Sequence, residues 1–247
     1  MTTPRIFDSH ALALHRARAD RLAGDRFLAD EARESIALRA AAMNRRFEHV
    51  LRVDAPDEIV PGDDGAHDLV TSVLALHAVN DLPGVLVQIR RKLKPDGLFL
   101  GALFGGETLR ELREAFAAAE IATLGGITPR VAPFADVRDL GGLLQRAGFA
   151  LPVADVERTT VRYGDLLKLV ADLRAHGETN ALVERSKRPL ARATLAALVA
   201  RYQPVVATFD VVYLTGWAPH ESQQKPLKPG SAKARLADAL GTTERKL

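Results

Sequence analysis

The sequence predicts an α/β protein: a mainly parallel sheet with helices on both faces. Two observations lead there. From residue 49 to about residue 163 short apolar runs alternate with amphipathic segments, the pattern of successive strand–helix units. Within that span, "DLVTSVLALHAVNDLPGVLVQIRRKLKPDGLFLGALF" (68–104) reads as strand, helix and strand, with the length of a right-handed crossover between parallel neighbours.

The elements follow in chain order. Residues 1–44 form a helical, arginine-rich N-terminal arm, in which Phe27, Leu28, Ala32, Ile36 and Leu38 partly follow a 3.6-residue period. Residues 45–220 form the α/β domain. It opens with "RRFEHVLRVDAPDEIVP", where 49–53 reads as a buried strand ending at the carboxylate of Asp54. Residues 69–76 are too continuously apolar for a half-exposed strand and belong between helices. A helix starts near Pro83, where a missing N–H costs nothing, and carries Leu86, Ile89 and Leu93 on one face and a basic end. "KPDG" stops it, and a strand over 98–103 follows. In "FGGETLRELREAF" Gly105 and Gly106 give a turn, and Thr108 with Glu111 suits a capping box for a helix bearing Leu109, Leu112 and Phe116. A helical insertion spans about 164–205. An apolar strand over 209–217 precedes a polar, basic tail, 221–247, and Trp217 reads as a packing anchor at that strand's end.

Composition narrows the function classes. The 247 residues, 47% hydrophobic and 26% charged, suit a soluble globular chain. No cysteine is present, which excludes disulfides, thiolate metal sites and a cysteine nucleophile, and suits a reducing compartment. No apolar run reaches the length of a membrane span, so a cytoplasmic location is expected. A net charge of +3 carries no strong nucleic-acid signal. There is no G-x-S-x-G elbow, Walker loop or H-E-x-x-H, and His10 with His15 lack a carboxylate placed to complete a metal site, so no metal is expected.

Ligands in open α/β sheets bind beyond the carboxyl ends of the strands. That places "LHAVND" (Leu76, His77, Asn80, Asp81) and "FGGET" (Gly105, Gly106, Glu107) at a site. The plainer alternative stands beside each: glycine pairs after strands are often turns, and a histidine such as His77 is often a hydrogen-bonded packing residue.

The run from "HDLVTSVLALH" through "LKPDG", "FGGETL-ELR", "APFADV", "GETNAL" and "HESQQKP" resembles the class I S-adenosylmethionine-dependent methyltransferase family. More narrowly, it resembles the branch holding the methyltransferase-like assembly factor of respiratory complex I and its alphaproteobacterial relatives. The resemblance implies a Rossmann-like fold, S-adenosylmethionine as cofactor, and a protein substrate or respiratory-chain subunit as partner. It assigns Asp54, Leu76, His77, Asn80 and Asp81 to the cofactor side and Gly105, Gly106 and Glu107 to the substrate side.

The family's first strand runs into a glycine-rich turn whose backbone N–H groups approach the cofactor. This chain contains no G-x-G, and between Gly24 and Gly97 its glycines are Gly62, Gly65 and Gly84 alone. "RRFEHVL" matches the entry to the family's first strand, and "DAPDEIVPGDDGAHDLV" the approach to its fourth. The expectation is a sheet reduced in its N-terminal half, with the glycine turn, its helix and the second strand missing. A freed edge would suit a homodimer. Asp54 is then either a surviving ribose-binding acid or a turn carboxylate. Two functions stay open: an enzyme, methyltransferase or hydroxylase, acting on a protein side chain, or an assembly factor that has kept the fold and lost the cofactor.

Overall fold

The computed structural model describes residues 5–22 and 24–224. Two helices open it, α1 (Ser9–Leu22) and α2 (Phe27–Ala41), followed by β1 (Val50–Arg52) and β2 (His67–Val73). Then come α3 (Leu82–Lys92), β3 (Leu93–Phe104), α4 (Arg110–Leu124), α5 (Val137–Arg146) and β4 (Ala150–Arg162). The last elements are α6 (Leu166–Ala175), α7 (Arg192–Arg201) and β5 (Val206–Trp217). The basic tail expected over 221–247 lies almost wholly outside the described residues.

The five strands make one mixed sheet in the order β1-β2-β3-β5-β4. β1, β2 and β3 run parallel, while β5 is antiparallel to both β3 and β4. β3 sits at the centre because it is buried on both faces: Leu98, Leu100, Ala102 and Phe104 join one core, Phe99 and Leu103 the other. The first core is closed by α2, α4, α6 and α7, and the second by α3 and α5. Alternate residues of a strand point to opposite faces, so a strand covered by helices on both sides reads as a continuous apolar run.

Several expectations are corrected by this packing. β1 is not a buried strand. It is a three-residue edge, with Val50 46% exposed, because no strand among the described residues pairs with its outer side. Leu38, expected on the buried face of α2, is 65% exposed, whereas Leu28, Ala32 and Ile36 of that helix are buried. "KPDG" does not separate α3 from the next strand: β3 begins at Leu93, paired with His67, and Asp96 takes a left-handed conformation inside the run. Leu93 accordingly belongs to the strand.

The capping box expected from Thr108 and Glu111 does not form. Leu109 occupies the N-cap of α4 without a side-chain bond. Thr108 Oγ1 instead donates to the Asp210 carbonyl and accepts from Asp210 N–H, while Glu111 accepts from Thr208 N–H and its hydroxyl at 3.1 and 2.6 Å. Both side chains fasten α4 to β5, a long-range demand that outweighs the local one. α3, α5 and α6 do carry aspartate caps, Asp81, Asp136 and Asp165, each an N-terminal acceptor typically contributing about 1 kcal/mol.

α1 is docked across the carboxyl ends of the parallel strands. Phe7 forms a β-bridge with Leu182, Asp8 pairs with Arg185 at 2.9 Å, and Phe7, Ala11 and Leu12 pack with Ala78, Ala181 and Leu182. The N-terminal arm therefore roofs the region in which an α/β sheet carries its site.

Candidate functional site

Two openings lie at this end of the sheet. The larger is a cavity of about 380 Å³ bounded by α1, α4, α6, the segment after β2 and residues 130–134 and 178–181. Phe7, Phe104, Phe116, Phe134 and Phe209 line it, five of the nine phenylalanines in a chain otherwise poor in aromatic residues. The backbone is held in unusual conformations at two positions at this end of the sheet: Leu74, just past β2, has φ +45°, and Leu109, just before α4, has φ +57°. A branched side chain in the left-handed region costs about 1–2 kcal/mol, which the burial of both leucines offsets.

The polar centre of the cavity is His77 with Glu178. His77 sits in the 3-10 turn Leu76–Ala78 after β2, with its side chain only 4% exposed. Its ring packs against Phe104 and Phe134, with centroids 4.9 and 6.0 Å away. Nε2 lies 3.2 Å from Glu178 Oε2, and Nδ1 has no hydrogen-bond partner among the described residues. Burial pushes the Glu178 carboxyl up, but the neighbouring His77, Arg16 and His176 outweigh it and hold the group below its usual range. Glu178 is thus a carboxylate at neutral pH and can only accept. Glu178 therefore accepts from His77 Nε2–H.

Of the two arginines on the cavity wall, Arg130 is paired and partly buried, and Arg174 is exposed. Arg130 donates to Glu120 at 2.7 Å, a carboxylate with no exposed surface that also accepts from Thr128 N–H and its hydroxyl. Burial raises the Glu120 carboxyl, and these bonds with the Arg130 charge reverse the effect and lower it. Thr179 and Arg174 line the cavity and are exposed, which takes its mouth to the surface.

The second opening, about 260 Å³, lies beyond the ends of β1 and β2 and is charged: Arg16, Asp20, Arg26, Arg33, Asp54 and Glu178 line it. Arg16 of α1 reaches across it. Its Nη1 donates to the Asp54 carbonyl at 2.6 Å and its Nη2 to the Leu74 carbonyl at 3.2 Å. Burial lowers the Arg16 guanidinium, opposed by the surrounding Glu178, Asp57, Asp54 and Asp20. Asp54 Oδ1 accepts from Val73 N–H at 3.1 Å, tying β1 to β2 in the manner of a turn carboxylate.

The remaining residues expected at the site serve the scaffold. Asn80 accepts from Ile6 N–H and Phe7 N–H, both at 2.8 Å, and donates to the Phe7 carbonyl, so it anchors the N-terminal segment. Asp81 caps α3 through Gly84 N–H, and Leu76 is fully buried in the second core. Gly105 is required for packing: a Cβ there would lie 2.5 Å from Val212 Cγ2. Glu107 pairs with Arg110 at 2.8 Å, and neither it nor Gly105 or Gly106 lines the cavity. Of the expected residues, His77 alone faces the cavity and Asp54 alone the charged cleft. Glu178 and Arg16, which join both to their surroundings, are not among the residues expected from the sequence. Glu178 lay within the "GETNAL" run, but only the fold reveals that this run faces His77.

Residues 23–101 match the model of a family described as a methyltransferase domain. The chain is 42% identical over 196 residues, 76% of its length, to the arginine-hydroxylase NDUFAF5, mitochondrial, of Dictyostelium discoideum, of which this covers 45%. It is 37% identical over 179 residues, 70% of its length, to a malonyl-[acyl-carrier protein] O-methyltransferase of Laribacter hongkongensis, covering 58% of that protein. The chain thus spans about half the length of the curated relatives it matches. A SAM-dependent methyltransferase structure from Thermotoga maritima is similar with TM-score 0.44 and 15% identity, over 85% of this chain and 98% of that one. The matched sequences join a sheet whose parallel strands β1-β2-β3 are followed by an antiparallel β5, and the chain belongs to the class I methyltransferase family, on the branch expected from its sequence.

Proposed function

We propose that this chain is a methyltransferase-fold protein that does not hold S-adenosylmethionine in its family's manner and acts as a binding or assembly factor for a respiratory-chain protein. The observation that carries the reading is Arg16. Where the family places a glycine turn whose N–H groups face the cofactor, this chain runs from β1 straight into "DAPDE", and an arginine side chain meets the carbonyls at the strand ends. The carboxylate of Asp54, the candidate for the ribose hydroxyls, is engaged by Val73 N–H. Losing several backbone donors at about 0.5–1.5 kcal/mol each weakens binding by orders of magnitude. The assembly role rests on the sequence resemblance. In the same reading, the unpaired outer edge of β1 is covered by a second copy, and a monomer by light scattering would remove that part.

A second reading is favoured by the imidazole–carboxylate pair on an open cavity. A relative is named an arginine-hydroxylase, and a protein arginine could enter here as substrate. Isothermal titration of the full chain with S-adenosylmethionine tests the first reading: no saturable heat is expected, and one-site micromolar binding would return the protein to the cofactor-dependent enzymes.

A further inference from the structure

The charges on the cavity wall are balanced with one exception. Arg130 is bonded to the buried Glu120, and Glu178 accepts from His77 and lies beside Arg16. Arg174, in the last turn of α6, makes no ion pair or side-chain hydrogen bond among the described residues. An arginine there also suits the negative end of its own helix, and taken alone it marks no site. What sets Arg174 apart is the opening at which it stands. It lines a cavity of about 380 Å³ whose remaining wall is chiefly phenylalanine and aliphatic side chains. Thr179, exposed on the same wall, has a hydroxyl that is likewise without a partner among the described residues.

From this arrangement we infer that the cavity binds an amphipathic monocarboxylate, with its apolar body inside and its carboxylate held at the mouth by Arg174 and Thr179. The body answers Phe104, Phe116, Phe134 and Phe209, and the volume, at the small end of ligand pockets, suits a bicyclic ring system or a medium-length alkyl chain. The sign of the head group follows from the charges. With Arg130 and Glu178 each balanced by a neighbour, Arg174 leaves the wall one positive charge in excess, and a monoanion cancels it. The head group stays at the mouth because a carboxylate drawn deeper would lose its water and face the Glu178 carboxylate. Both donors are exposed, so their pairing selects among apolar ligands, whereas most of the affinity comes from burying the body. The inference is independent of the cofactor question, since neither Arg174 nor Thr179 lines the cleft beyond β1 and β2. It stands against the second reading of the function, because the same excess charge disfavours a guanidinium in this cavity.

The matched probes 2-naphthoate and methyl 2-naphthoate test it on the full chain through their own fluorescence. The ester is the more apolar of the two, so transfer from water alone favours it. A preference for the acid therefore reports the pairing at the mouth. We expect one 2-naphthoate per chain, bound about threefold or more tighter than the ester at low salt, with the preference shrinking as salt is raised. In Arg174→Leu, a change at an exposed position that the fold tolerates, the preference vanishes while the ester still binds. Phe134→Trp, which leaves Arg174 in place and fills part of the cavity, weakens both probes by about tenfold or more, an effect that mere attraction of an anion to a surface arginine would not show. Equal affinity for the two probes, no binding of either, an acid preference that survives in Arg174→Leu, or undiminished 2-naphthoate binding in folded Phe134→Trp would each overturn the assignment.

Discussion

The two openings at the carboxyl end of the sheet share Glu178 and differ in everything else. The cavity beside His77 is aromatic, with its charges paired and room left inside. The cleft beyond β1 and β2 is lined by charged groups and crossed by the chain's own Arg16. In the proposed reading the short connection between β1 and β2 bears on the cleft alone, because the cavity is bounded by α1, α4, α6 and the segment after β2.

The most forceful way to break this comparison is to remove the cavity's wall. Phe209→Ala, at a residue 1% exposed between the sheet and the cavity, is expected to cost about 3–5 kcal/mol by chemical denaturation, as large-to-small core changes do. A loss under about 1 kcal/mol would mean that the cavity collapses freely and is not a preformed site.

How much of this was legible beforehand differs between the two regions. The strand–helix–strand unit over 68–104 could be read because its apolar periodicity is set by local geometry. The absence of any G-x-G could be read because it is a plain property of the sequence. β4 was harder: its burial alternates weakly along an outer strand, and it carries Asp155, Glu157 and Arg158, whose partners Arg39 and Asp210 come from distant elements. Arg16 and Glu178 could not be placed at all, since 162 positions separate them and only the docking of α1 brings them to one cleft.

Arg16→Ala comes next in size. The Asp54 and Leu74 carbonyls lose a charged donor, and a stability loss of about 1.5–3 kcal/mol is expected in thermal melts. A loss under about 0.5 kcal/mol would show that these bonds across the cleft are not held in solution.

Acid separates the regions more gently. Glu178 and Glu120 both have folded carboxyl values below their ordinary 4.5, so their contribution is complete above that pH and is lost as pH falls through the lower folded values. Denaturation midpoints should be flat from neutrality to about pH 5 and then decline. Glu120→Gln should shrink that decline, and an unchanged acid limb would remove Glu120 from the account. At the small end, Leu38→Ser on the exposed side of α2 should change stability by no more than about 0.5 kcal/mol. A larger loss would show Leu38 to be covered in solution.

The most direct measurement of the central claim is a crystal structure of the full chain soaked with S-adenosylhomocysteine. The account predicts Arg16 still bonded to the Asp54 and Leu74 carbonyls, with no nucleoside density beyond β1 and β2. Ordered nucleoside in that cleft, with Arg16 displaced, would contradict it.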